Sequence, residues 1–134
     1  MRDSSGKYSI NYKNWYYDKD GKSQYCDEYE TAIESKDQLN KIFSVLDIKE
    51  VVTVDKIRKL YLYQDYEIAI DSIKGLGDFV EIEYKGKIVN QKPADITKEM
   101  ISFLKKIGCG KITRNYVGYP FQLLFPREVV LEEQ

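Results

Sequence analysis

Polar and apolar residues alternate along the start of the chain, the period of a half-buried strand. Over residues 8–13, Tyr8, Ile10 and Tyr12 share one face while Ser9, Asn11 and Lys13 share the other. Asp18-Lys19-Asp20-Gly21-Lys22 reads as a turn with Asp-Gly as its hairpin signal, and a second strand is expected over about 23–33, with Glu28 and Glu30 on one face. The period then changes. Ser35 is a helix N-cap with Gln38 at the capping-box position, and Leu39, Ile42, Phe43 and Leu46 make one helical stripe. Extended structure returns over 51–63 and 66–71 with a turn at Gln64-Asp65. Gly75 and Gly77 mark a bend or bulge, 79–84 is another strand, and Lys85-Gly86-Lys87 turns the chain. A second helix is expected from a cap at Asp95, with Ile96, Met100, Phe103, Leu104 and Ile107 as its stripe and Gly108 at C′. The mixed aromatic segment 116–125 packs on a sheet or covers an opening, and 131–134 reads as a polar tail. There is no internal repeat and no low-complexity segment.

Lys56 and Arg58 stand two residues apart on one expected strand, so both leave the same face; Glu81 and Glu83 repeat that geometry with opposite charge. Any one such pair alone reads as a solvated strand face, Glu28/Glu30 included. Together, Lys13, Glu28, Glu30, Lys56, Arg58, Asp71, Glu81 and Glu83 collect on one face, opposite Tyr8, Ile10, Tyr12, Ile57, Ile68, Ile70, Val80 and Ile82. A sheet closing with the charged face inward makes a polar tunnel under an outer hydrophobic layer of helices, the reverse of a small barrel's usual filling. Confined charges of both signs are costly unless a ligand or metal resolves them. Mg²⁺ and Mn²⁺ prefer carboxylate and phosphate oxygens, the former available from Asp71, Glu81 and Glu83, while Lys and Arg bind phosphate.

Composition narrows the chemistry further. At 134 residues the chain has the size of one domain, and its formal net charge of −1 argues against bulk binding to nucleic acid or anionic membrane. No apolar run reaches membrane-spanning length and no signal-peptide pattern is present. Cys26 and Cys109 are too few and too far apart for a disulfide scaffold or zinc site, so a cytoplasmic setting is expected. Histidine is absent, which excludes Ser-His-Asp and Cys-His systems and His-ligated zinc. Phosphoryl chemistry needs mostly positioning and charge neutralisation, and loses nothing by this. The 12 tyrosines read chiefly as strand and packing residues, with a place at a tunnel mouth open to Tyr116 or Tyr119.

Lys56-Ile57-Arg58, the Asp71 that closes Ile68-Ala69-Ile70-Asp71, and the run from Gly75-Leu76-Gly77 to Glu81-Ile82-Glu83 resemble the CYTH superfamily. These are the triphosphate tunnel metalloenzymes, which include class IV adenylyl cyclases and thiamine triphosphatases. Asp27-Glu28-Tyr29-Glu30-Thr31 and Tyr12-Lys13 match as well, and the whole leans towards the class IV cyclase branch. The resemblance implies an α+β fold, an antiparallel barrel forming a tunnel with flanking helices. It implies conversion of ATP to cyclic AMP and pyrophosphate with Mg²⁺ or Mn²⁺; hydrolysis of thiamine triphosphate, tripolyphosphate or a nucleoside triphosphate is one alternative, and a non-catalytic phosphate-binding module or inactive fragment another. By the same resemblance Arg2, Lys13, Lys56, Arg58, Glu28 and Glu30 belong to the substrate-binding set. Asp71, Glu81 and Glu83 ligate or orient the metal, and Glu81, Glu83 and Lys56 are the catalytic residues. The resemblance departs at the N-terminus, where the family's Glu-x-Glu-x-Lys strand is missing, and Cys26 sits where many relatives carry a basic residue. The expectation is therefore one CYTH-like domain over 1–134, truncated and with its barrel incomplete; a homodimer that completes the sheet is the alternative.

Overall fold

The computed structural model describes residues 1–87 and 91–134. The chain divides into two compact units, Met1–Val51 and Val52–Gln134. In the first, β1 (Arg2–Ser4), β2 (Lys7–Tyr17) and β3 (Ser23–Ile33) form an antiparallel sheet in that order, followed by α1 (Lys36–Val45). Ser5 and Gly6 both have positive φ, the twist-matched geometry of a two-residue hairpin, and the Gly6 N–H donates to Asp3 Oδ1 at 3.1 Å. The expected Asp-Gly turn is present: Asp18 Oδ1 accepts from the N–H groups of Asp20 and Lys22, each at 2.9 Å. Pairing of Ser9 with Ala32, Asn11 with Glu30 and Lys13 with Glu28 puts these side chains on one face, with Tyr8, Ile10 and Tyr12 on the other. Ser35 Oγ accepts from the Gln38 N–H at 3.2 Å and caps α1 as its spacing predicts, although no residue of this helix is buried.

In the second unit, β4 (Lys56–Tyr63), β5 (Tyr66–Ile73) and β6 (Gly77–Tyr84) form an antiparallel meander. The pairs Arg58–Asp71 and Asp71–Phe79 set its register. Lys56, Arg58, Asp71, Phe79, Glu81 and Glu83 therefore share one face, and Ile57, Ile68, Ile70, Val80 and Ile82 the other, as the alternation predicts. On the apolar face lies α2 (Pro93–Lys106), whose Phe103 ring stacks on Tyr63 at 5.4 Å and on Tyr66 at 5.2 Å. Buried Ile96 and Leu104 are the inner part of its stripe. The third helix, α3 (Tyr119–Leu124), meets the charged face: the Tyr119 ring packs edge-on against Phe79, 5.2 Å between centroids. Segment 116–125 thus does pack on a sheet.

Three expectations need correction. Extended pairing starts at Lys56, not at residue 51, because only from there does β4 find β5 as a partner. Asp95 is not the cap of α2: Lys92 takes the N-cap position and Pro93 starts the helix, its fixed φ and missing N–H suited to that place. Asp95 lies in the first turn, where its charge complements the helix dipole. The last residues are not a free tail. Leu131–Glu133 is β8, paired antiparallel with β7 (Thr113–Asn115), and the Gln134 N–H donates to the Ile112 carbonyl at 3.0 Å.

The fold class is thus α+β, with antiparallel sheets and, among the described residues, three helices. Among the described residues the strands pair as three separate sheets, and no ladder closes them into one barrel. Leu104, 7% exposed, anchors α2. Leu104→Ala is expected to destabilise the chain by about 2–3 kcal/mol in urea unfolding, against a change within about 0.5 kcal/mol for Val45→Ala, at an 87% exposed position.

Candidate functional site

The charged face of the second unit is organised around one carboxylate. Asp71 lies on the central strand β5, flanked on its own face by Ala69 and Ile73, each 3% exposed, and is itself fully buried. A carboxylate so placed must be matched by cations or hydrogen-bond donors. Here Arg58, directly across the ladder, donates from Nε to Oδ1 at 2.6 Å and from Nη2 to Oδ2 at 2.5 Å. Lys56 Nζ reaches Oδ2 at 3.0 Å, and the Tyr119 hydroxyl donates to the same oxygen at 3.2 Å. Burial alone pushes the Asp71 carboxyl up, but the Arg58 and Lys56 contacts outweigh it and hold the pKa at about 2. Arg58 is shifted the opposite way, raised mainly by its bonds to Asp71 against the cost of burial, so it is a permanent cation.

The pair is anchored without being hidden. The Lys56 and Arg58 side chains keep 28% and 32% of their surface exposed. Arg58 Nη2 also pairs with Glu81, so one guanidinium bridges a buried carboxylate on β5 and a half-exposed one on β6. Glu83 lies farther along the same face, 59% exposed, with Lys85 Nζ at 2.8 Å. Lys56, Arg58, Asp71 and Glu81 are thus brought together, with Glu83 beside them on the strand.

The charged face of the first unit repeats the theme with weaker burial. Glu28 accepts from Asn11 Nδ2 at 2.6 Å and pairs with Lys13 Nζ at 3.0 Å. Glu30 accepts from Ser9 Oγ at 2.6 Å and meets Arg2 Nη1 at 3.4 Å. Burial acts to raise the Glu28 pKa, yet the bonds from Lys13 and Asn11 leave it lowered overall. Arg2, Lys13, Glu28 and Glu30 therefore form two neighbouring ion pairs on one sheet face.

Whether these side chains suit a divalent metal depends on the carboxylates. Both Asp71 oxygens are already committed to donors. Glu81 and Glu83 remain as two carboxylates on one strand face, the small number that a Mg²⁺-type ion takes when substrate phosphates and water complete its shell. Among the described residues no group of three or more His, Cys, Asp and Glu side chains is placed to hold an ion unaided.

A family model, the CYTH domain, matches residues 1–116. The chain belongs to the CYTH family. It is 36% identical over 111 residues to a Methanocaldococcus jannaschii protein named "Putative adenylate cyclase MJ0240", an alignment covering 83% of this chain and 62% of that one. Among solved structures it resembles the PH1819 protein from Pyrococcus horikoshii OT3, with a TM-score of 0.63 and 28% identity, over 78% of this chain and 59% of the other. The chain spans about three fifths of the length of these relatives.

Two residues that contact the charged face of the second unit escaped the sequence reading. The Glu-x-Glu-x-Lys spacing sought at the N-terminus occurs once in the chain, as Glu81-Ile82-Glu83-Tyr84-Lys85, and its lysine pairs with Glu83. The spacing itself was the available signal. Tyr119, left among the packing residues with only a tunnel mouth as alternative, reaches Asp71; nothing in its local sequence announces that contact.

The depressed pKa of Asp71 has a stability consequence. A carboxyl near 3.8 in the unfolded chain and near 2 in the fold stabilises the native state fully above pH 4, and that contribution is lost as pH falls through 2. A midpoint temperature falling between pH 4 and pH 2, worth about 2 kcal/mol, is expected by scanning calorimetry. Asp71→Asn removes this slope and costs about 3 kcal/mol or more at pH 7, since it leaves Lys56 and Arg58 without their buried counter-charge.

Proposed function

We propose that this CYTH chain handles a nucleoside triphosphate in a metal-dependent phosphoryl reaction, with conversion of ATP to cyclic AMP and pyrophosphate as the leading reaction. The observation that carries the reading is the Lys56/Arg58 pair held side by side by buried Asp71, on the same sheet face as Glu81 and Glu83. The name borne by the M. jannaschii relative supports a cyclase within the family. Closure of the sheets into a barrel is part of the same proposal.

In this reading Arg58 and Lys56 take phosphate oxygens, Arg58 with the part of its fork that Asp71 leaves open. Glu81 and Glu83 are the residues that would hold Mg²⁺ or Mn²⁺, which would supply charge neutralisation on the phosphates. A carboxylate of that pair accepts the proton of the attacking ribose hydroxyl as pyrophosphate leaves. Asp71 keeps both cations aimed outward. Arg2, Lys13, Glu28 and Glu30 make up the charged face of the first unit, and their assignment to substrate binding is part of the same proposal.

³¹P NMR of ATP incubated with the chain and Mg²⁺ or Mn²⁺ tests this. Pyrophosphate with a cyclic nucleotide is the expected result; orthophosphate with ADP reassigns the chain to triphosphate hydrolysis, and no turnover overturns the enzyme reading. Lys56→Ala is expected to lower turnover by about 100-fold or more. Glu81→Gln gives a change of sign. With metal present it weakens tripolyphosphate binding, whereas without metal it tightens binding several-fold, since Arg58 is released from a competing carboxylate. Titration calorimetry under both conditions reads the two signs.

A further inference from the structure

Three contacts hold Tyr119 beside the cation pair. Its hydroxyl donates to Asp71 Oδ2 at 3.2 Å, the oxygen that also receives Lys56 Nζ at 3.0 Å. Its ring centroid lies 5.3 Å from the same Lys56 nitrogen, within cation–π range. Phe79 packs edge-on against that ring at 5.2 Å with 61° between planes, so β6 fixes the platform on which the ammonium rests. A tyrosine that only filled space would need neither a charged hydrogen-bond partner nor an ammonium over its face.

We infer that Tyr119 is a positioning residue for anion binding: it orders Lys56, and through Asp71 also Arg58, before a phosphate chain arrives. The inference rests on the phosphate-handling reading of this face. A lysine stem has many rotamers, and ordering it on binding costs affinity. A ring and a carboxylate that hold it beforehand remove that cost from the binding step. The hydroxyl remains a donor at every working pH, since burial, then the charges of Glu81 and Asp71, push its ionisation far upward.

A double-mutant cycle on tripolyphosphate binding without metal, read by titration calorimetry, tests it. Tyr119→Leu is expected to weaken binding about tenfold, and Tyr119→Phe, which keeps the ring, about two- to threefold. In a Lys56→Gln background the Tyr119→Leu loss is expected to shrink below about twofold. Equal losses in the two backgrounds, or no loss, overturn the inference. A second readout needs no anion: proton exchange at Arg58 Nε–H, followed by NMR, is expected to rise several-fold in Tyr119→Leu while the Ala69 amide on β5 keeps its protection. Should the wild-type chain bind no tripolyphosphate, the phosphate reading falls, and an unchanged Arg58 exchange rate then overturns the ordering of the pair by Tyr119 as well.

Discussion

A fully buried carboxylate with two cations and a phenol on it is the constraint that organises the second unit. Asp71 has no water to solvate it, so every neighbour on its face is there to supply a donor or to close the space around one. The ladder register supplies Arg58 directly across the strand, and the two-residue period of β4 supplies Lys56. An ion pair of this kind is weak evidence for stability, because desolvation consumes most of the attraction. Its worth lies in direction: the cations are tethered from below and keep about three tenths of their surface exposed above.

The arrangement also makes the face economical. Arg58 serves Asp71 and Glu81 together, so a single side chain joins the three strands of the sheet by charge as the ladders join them by backbone. The two faces of the sheet are covered by different means. Phe103 of α2 covers the apolar side with aromatic stacking, whereas Tyr119 of α3 meets the charged side with a hydroxyl. That difference matches the polarity of each face.

Much of this was legible in the residues before any coordinates. The two-residue period put Lys56 with Arg58 and Glu81 with Glu83 because strand geometry leaves no other choice within a strand, and the ladder register joins both pairs with Asp71 on one sheet face, as expected. Capping chemistry placed α1 at Ser35, and the Asp-Gly turn fixed the β2–β3 hairpin. The misses were of a different kind. Asp95 and Lys92 differ by three residues, a boundary that Pro93 decides and propensity blurs. β8 is three residues long and exists through its pairing with β7, a partner 16 or more residues away that no local pattern reveals. Tyr119 failed for the same reason, its partner Asp71 lying 48 residues back.

That separation bears on how the site assembles. β4, β5 and β6 follow one another through two tight turns, so Arg58 is only 13 residues from Asp71, and Glu81 only 23 from Arg58. Short loops close at little entropic cost, which favours early formation of this meander during folding. Tyr119 must wait for a much longer stretch of chain to return. The charged cluster would then be partly built while its aromatic cover is still absent, leaving Asp71 open to water until α3 docks, so that dehydration of the carboxylate is among the last events of folding rather than the first.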